Sequence, residues 1–220
     1  MALTKNQLID LYRLRAAWYD FSANLYYLIG FREAWYRKQA VAALGLRPGD
    51  TVVEVGCGTG LNFKYLREAV GEQGQIIGLD LTDAMLEHAE RRIARKGWTN
   101  VMLVQCDAAT YAFPFEVQGV LSTFALTLVP EYEEVIKRAA DALATGGRLA
   151  VLDFRQPENW PLWLVRVGVF ITKPFGVSMD LTVRKPWEVM KKHFPRVTTK
   201  SLFGGFVYIA VGEGRDPENG

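Results

Sequence analysis

Ten consecutive residues, Thr51-Val52-Val53-Glu54-Val55-Gly56-Cys57-Gly58-Thr59-Gly60, constrain this chain more than any other stretch. Val52, Val53 and Val55 are β-branched and stiff, which suits a short enclosed strand. Pro48-Gly49-Asp50 punctuates its start. Gly56, Gly58 and Gly60 then permit positive φ and a close backbone approach to a ligand. A periodic run from Leu61 to Val70 reads as the helix that follows. A ligand over such a turn meets backbone N–H groups at a helix N-terminus. A Walker loop would end in Gly-Lys-Ser/Thr, and Gly60-Leu61-Asn62 does not. A dinucleotide fingerprint needs a third glycine where this chain has Leu61. An acidic residue before Gly-x-Gly-x-Gly is what remains. Taken alone, it is also compatible with an ordinary glycine-rich strand–turn–helix.

At 220 residues, half of them hydrophobic, the chain suits one domain with additions and a substantial core. A formal charge of +2 excludes a strongly electrostatic nucleic-acid binder on global grounds. Two cysteines, Cys57 and Cys106, give no disulfide framework. The first ten residues lack the pattern of a signal peptide. The longest apolar run, Leu162 to Ile171, is interrupted by Arg166 and falls short of the roughly 20 residues a span needs. The reading is a cytoplasmic protein able to rest peripherally on the inner face of a membrane.

Residues 1–45 read as an N-terminal helical cap, with helix over Lys5 to Ile29 and again from Phe31 to Leu44. The region is dense in aromatics interleaved with Arg13, Arg15, Arg32, Arg37 and Lys38. Either the rings pack inward, or the cap also closes over a ligand and lines a second pocket. Residues 46–212 carry alternating strand and helix patterns. Strands are expected at Gln75 to Leu79, Val101 to Gln105, Gly119 to Phe124 and Arg148 to Leu152. Helices are expected from Thr82-Asp83 to Lys96 and from Glu131 to Leu143, stopping at Gly146-Gly147. This alternation implies an α/β fold with a parallel sheet. Val197 to Phe203 and Phe206 to Val211, joined by Gly204-Gly205, read as a β-hairpin. An apolar insertion lies near 156–190, and 213–220 reads as a flexible tail.

Ligands of open α/β sheets sit outside the carboxyl ends of the strands. There the chain places Glu54 to Gly60, Asp80, Asp107, Ser122 to Phe124 and Asp153. Asp80, some twenty residues past the turn, suits ribose hydroxyls or a turn cap. The combination Val53 to Gly60, Gly78 to Leu86, Cys106 to Ala108 and Leu143 to Phe154 resembles the Rossmann-like (class I) S-adenosylmethionine (SAM)-dependent methyltransferases. Asp83-Ala84-Met85-Leu86 and Gly146-Gly147-Arg148-Leu149 are similar to the ubiquinone/menaquinone biosynthesis branch and to bacterial phospholipid N-methyltransferases. The resemblance implies a seven-stranded, mostly parallel sheet with an antiparallel C-terminal hairpin, and SAM as cofactor. It implies donor contacts from Glu54, Gly56, Cys57, Gly58, Gly60, Asp80, Leu81, Met85, Asp107, Ala108, Ser122 and Thr123. Asp107 and Ala108 would meet the adenine edge, or Asp107 would cap a short helix. Tyr19, in Trp18-Tyr19-Asp20, would lie near the sulfonium or carboxylate as the candidate catalytic residue.

The acceptor is less constrained. His88 and His193 read as surface or packing residues, and no metal-ligand cluster stands out. Quinone-methylating relatives carry an Arg-Asn pair after the fourth strand. Here that stretch is Ser122-Thr123-Phe124-Ala125-Leu126-Thr127-Leu128, without the pair. Trp160-Pro161-Leu162-Trp163-Leu164 and the nearby Arg and Lys residues suit a lipid interface, or simply a helix packed on the sheet. The expectation is N-methylation of an amine on a small apolar or lipid-like acceptor. C-methylation of a polyprenyl quinone precursor is the alternative. A non-catalytic SAM-binding regulator or assembly partner is the alternative from another class. No nucleic-acid partner is expected.

Overall fold

The computed structural model describes residues 7, 10, 11, 13, 31–157, 160, 161, 163, 167 and 183–214. Their order is α1 (Glu33–Ala43), β1 (Thr51–Val55), α2 (Phe63–Val70), β2 (Gln75–Asp80), α3 (Asp83–Lys96) and β3 (Val101–Gln105). Then follow β4 (Val117–Thr123), α4 (Tyr132–Ala142), β5 (Leu143–Phe154), α5 (Pro186–His193), β6 (Arg196–Leu202) and β7 (Val207–Glu213). The strands form one sheet in the order β3-β2-β1-β4-β5-β7-β6. All neighbours from β3 to β5 pair in parallel, and β7 runs antiparallel to both β5 and β6. This is the mostly parallel seven-stranded sheet with an antiparallel C-terminal hairpin that the resemblance implied.

Side-chain alternation builds the two faces. In β1, Val52 joins one core cluster and Val53 and Val55 the other. In β5, Ala150 and Leu152 face the first cluster and Leu149 and Val151 the second. Helices α1, α2 and α3 cover the first face, and α4 and α5 the second. Both faces of the central strands are therefore covered, which is why β1 reads as an unbroken apolar run apart from Glu54. Successive strands run β1, β2, β3 to one side and β4, β5 to the other. The order reverses between β1 and β4, and such a switch point opens a crevice beyond the strand ends.

Several boundaries differ from the sequence expectation, each for a local reason. Helix α2 starts at Phe63 rather than Leu61, because Asn62 at its N-cap turns its side chain into the core and makes no capping bond. Strand β4 ends at Thr123, one residue early, since Phe124 adopts φ 55°. Helix α4 stops at Ala142 and not at the Gly146-Gly147 pair. Leu143 is already extended and pairs with Val117, so both glycines fall inside an irregular start of β5. Thr82 and Asp83 open α3, but neither hydroxyl nor carboxylate caps it in the usual way. Thr82 turns to Asp80, and Asp83 receives a bidentate pair from Arg13 at 2.9 and 2.8 Å. The hairpin forms as expected, with Gly204 and Gly205 at φ 62° and 90°. Most of residues 1–30, much of the 156–190 insertion and the tail from 215 lie outside the described residues. Of the cap's aromatics, Phe31 and Tyr36 are buried and Trp35 is half-exposed.

Gly56 is the tightest point of this frame. It has φ 68°, and a Cβ there would lie 2.4 Å from the Cβ of Ala125. Left-handed backbone and overpacking add. Gly56→Ala should therefore lower unfolding stability by about 2–4 kcal/mol, measured by urea denaturation. A loss under about 1 kcal/mol would show that the two loops are free to part.

Candidate cofactor site

The crevice above the switch point is a cleft of about 940 Å³ counting its open mouth. Its floor is the turn after β1, where Gly56, Cys57, Gly58 and Thr59 all line it. A Cβ at Gly58, at φ 54°, would meet nothing within 4 Å. So Gly58 needs its backbone conformation, and it leaves space on the ligand side. Asp80, at the end of β2, fastens this turn. Its Oδ2 accepts the Gly58 N–H at 2.8 Å and its Oδ1 accepts the Thr82 N–H at 2.9 Å. Burial pushes the Asp80 carboxyl up, and those two amides pull the other way. Leu81, Thr82 and Met85 continue the same wall.

Asp107 and Ala108, after β3, form the next side of the cleft. The Asp107 Oδ1 accepts the Ala109 N–H at 3.0 Å, so the residue also organises its own turn. Cys57 and Cys106 line the cleft, and burial raises both thiols, Cys106 to about 11. Neither has the depressed thiol of a nucleophile.

Of the residues expected at the site, Gly56, Cys57, Gly58, Asp80, Leu81, Met85, Asp107, Ala108 and Thr123 line one cleft. Glu54, Gly60 and Ser122 do not. Glu54 and Ser122 are fully buried beneath it, and Gly60 sits against the Phe63 ring. Tyr19 lies outside the described residues. Sequence reasoning missed Arg37, Leu61 and the rest of the loop after β4, where Ala125, Leu128, Val129 and Pro130 join Phe124 to complete the wall. Asp153 holds that loop: its Oδ2 accepts the Thr127 N–H at 3.0 Å and its Oδ1 the Thr127 hydroxyl at 2.9 Å. Burial raises the Asp153 carboxyl to about 6. Thr-x-x-x-Asp-type signals of such a bond do not exist in sequence, because 26 residues separate the partners.

Beneath the turn runs a buried polar chain. Arg37 donates from Nε to Glu33 Oε1 at 2.7 Å and from Nη1 to the Thr123 hydroxyl at 2.5 Å. Asn62 Nδ2 donates to Thr123 Oγ1 at 2.8 Å and to Glu54 Oε1 at 2.5 Å. Burial lifts the Glu54 carboxyl to about 8 against an ordinary 4.5, with Asn62 and Arg37 opposing the rise. Glu54 Oε2 and Asn62 Oδ1 are buried without partners. A proton on Glu54 turns Oε2 from an acceptor into a donor, and the amide oxygen of Asn62 is an acceptor.

A family model described as a methyltransferase domain matches residues 52–147. The chain is 31% identical over 221 residues to a ubiquinone/menaquinone biosynthesis C-methyltransferase, UbiE, of Ectopseudomonas mendocina, covering 90% of this chain and 84% of that protein. The chain belongs to the SAM-dependent methyltransferases of the UbiE family. A UbiE of Francisella tularensis subsp. novicida is 34% identical over 145 residues, 64% of this chain. The match spans 57% of that relative's own length. Among solved structures, a chain from the complex of the Haloferax volcanii Trm112 methyltransferase activator with a methyltransferase superposes with a TM-score of 0.66. It is 18% identical, over 90% of this chain and 96% of that one. Haemonchus contortus phosphoethanolamine N-methyltransferase 2, bound to phosphomonomethylethanolamine and S-adenosylhomocysteine, gives a TM-score of 0.60. It is 19% identical, over 74% of this chain and 38% of that one. Membership of the family makes SAM the cofactor. The chemistry of the cleft fits it, with acidic groups and backbone amides at one end and an apolar wall at the other.

The protonated state of Glu54 has a measurable consequence. The folded protein keeps a proton there that the unfolded chain releases above about pH 4.5. This stabilisation is complete below that pH and is lost as pH rises to about 8. Glu54→Gln removes the dependence. Its melting temperature relative to the parent should climb between about pH 5 and pH 8 and then level off. A difference that does not change with pH would mean that Glu54 is ionised throughout.

Proposed function

We propose that the protein methylates a ring carbon of a hydrophobic quinol-type acceptor. The observation that carries this reading is the apolar wall Phe124, Ala125, Leu128, Val129 and Pro130, which shares the cleft with the donor loops. Its supporting comparison is the UbiE relative matched over 84% of its length. In the proposed arrangement Asp80 accepts from the ribose, Asp107 and the Ala108 N–H meet the adenine edge, and Leu81 and Met85 pack on the adenosine. The turn from Gly56 to Gly58 lies under the amino-acid tail. SAM supplies an electrophilic methyl on a sulfonium. The protein aligns it with the attacking carbon and excludes water, a neutral thioether departs, and the methylated ring carbon gives up its proton to solvent as the aromatic quinol is restored. Phe31, Phe124 and Phe154 stack behind the wall at centroid separations of 4.8 to 6.0 Å, which keeps that side rigid and dry.

A second reading is N-methylation of an amine on a lipid-like acceptor. It is favoured by Thr127-Leu128, which stand in the stretch where quinone-methylating relatives carry Arg-Asn. In both readings the acceptor is delivered from a lipid phase, and peripheral membrane contact is part of the proposal. Trp163 and Val167, four apart and both helical, are 65% and 45% exposed, an apolar face suited to lipid. Among the described residues no helix is long and apolar enough to cross a membrane.

Purified protein is incubated with isotopically labelled SAM and either a reduced demethylmenaquinone or phosphatidylethanolamine vesicles, and products are resolved by mass spectrometry. A ring-methylated quinol is expected. Methylated phosphatidylethanolamine alone would replace the first reading by the second. No product from either, with SAM bound, would favour a non-catalytic SAM-binding protein.

A further inference from the structure

Leu128, Val129 and Pro130 bring the apolar wall of the cleft to its mouth, and they stand on a turn held from two distant parts of the chain. The turn's own bonds are few. The Leu128 N–H donates to the Ala125 carbonyl at 2.9 Å, and the Val129 N–H donates to the Leu126 carbonyl at 3.1 Å. Pro130 has no N–H to give. The carbonyls of Thr127 and Val129 must find donors elsewhere.

Arg184 meets both. It is half-buried, two residues before α5. Its Nη1 donates to the Thr127 carbonyl at 2.5 Å and to the Val129 carbonyl at 3.3 Å. A guanidinium nitrogen of this kind carries two protons, so one group serves two acceptors. From the opposite side, Asp153 accepts the Thr127 N–H at 3.0 Å and its hydroxyl at 2.9 Å. Every polar group of Thr127 is thereby engaged, by the end of β5 and by a cation 57 residues along the chain. Bonds to charged groups are the strong ones, and here they hold the backbone of the wall. The donor loops are held separately. Asp80 takes the Gly58 N–H at 2.8 Å, and Asp107 takes the Ala109 N–H at 3.0 Å.

We propose that Arg184 is a positioning residue for the methyl acceptor, acting through the Thr127 and Val129 carbonyls. It sets how far Leu128, Val129 and Pro130 stand from the donor loops, and so which acceptor ring fits between them. The inference rests on the reading that this wall faces the acceptor. Both bonds of Arg184 go to the wall and none of the donor contacts passes through them. Loss of the guanidinium therefore loosens acceptor placement and leaves donor binding as it was. Placement is where a small displacement is costly, because the attacking atom must stay in line with the sulfonium methyl.

The test separates acceptor from donor. Steady-state kinetics are run with labelled SAM and either reduced demethylmenaquinone or phosphatidylethanolamine vesicles, and S-adenosylhomocysteine binding is measured by calorimetry. Arg184→Gln should lower kcat/KM for the acceptor that the parent uses by on the order of 10-fold, chiefly through KM, with S-adenosylhomocysteine affinity within about threefold of the parent. Arg184→Lys keeps the charge and loses the planar fork, so it should fall between. It also carries the comparison if Arg184→Gln does not fold. Lys185→Gln, which removes the adjacent exposed cation, should match the parent. The loss caused by Arg184→Gln should shrink in a Leu128→Ala background, because the two residues act as one unit. Additive losses, an unchanged acceptor KM, or an equal loss of donor binding would each overturn the proposal while the acceptor reading stands. A parent that methylates neither acceptor would overturn the acceptor reading and this inference with it.

Discussion

The buried amide of Asn62 is the interaction on which the upper half of the molecule depends. It joins Glu54 of β1 to Thr123 of β4, the two strands between which the sheet reverses its order. A carboxyl at the centre of a parallel sheet is costly to bury, and this amide offsets the cost with a hydrogen bond. The amide oxygen, Asn62 Oδ1, and the second carboxyl oxygen, Glu54 Oε2, are buried without a hydrogen-bond partner. The same amide sets where α2 begins, since Asn62 is spent on the core and not on the helix end. Through Thr123 the network extends to Arg37 and Glu33, so α1 is tied into the same polar chain. Such a network is stable only when each member is satisfied.

Above this network the cleft is built from loops that brace one another. Asp80 is a strut: both of its oxygens accept backbone N–H groups, one from the glycine turn and one from the start of α3. Asp153 does the same for the loop after β4, through Thr127. Arg184 adds a guanidinium bond to the Thr127 carbonyl at 2.5 Å from a distant part of the chain. A half-buried carboxyl group at the end of β2, Asp80, and a buried one near the end of β5, Asp153, thus shape the two walls. Phe124, at φ 55°, turns the chain between them and sends its ring back onto Phe154 at 4.8 Å. A non-glycine residue held in that region is a local strain, and here it lies in the cleft wall.

Much of this cleft was legible because its lining is local. The glycine turn follows its strand without a gap, Asp80 ends the next strand, and Asp107 lies two residues past the third. Each carries its signal in a few contiguous residues, and the parallel order follows from the alternation of patterns. Glu54 was read as a ligand group from its place before the glycines, yet the strand turns it under the turn. A one-residue step along β1 decides which side of the sheet a side chain meets. Arg37 looked like one of several surface cations of an aromatic helix. Nothing in its neighbourhood says that Thr123 lies within reach.

The sequence by itself determined the α/β class and the place of the glycine turn, because strand and helix periodicity and the turn are encoded by near neighbours, and its resemblance to the methyltransferases supplied the seven-strand plan and the cofactor. Only the tertiary structure decided which polar groups meet: Arg37 with Thr123 across 86 residues, Asn62 with Thr123 across 61, and Thr127 with Asp153 across 26. Pairings at such separations are set by how helices pack on the sheet, and packing depends on shape and burial summed over the whole core, which no short stretch of sequence contains.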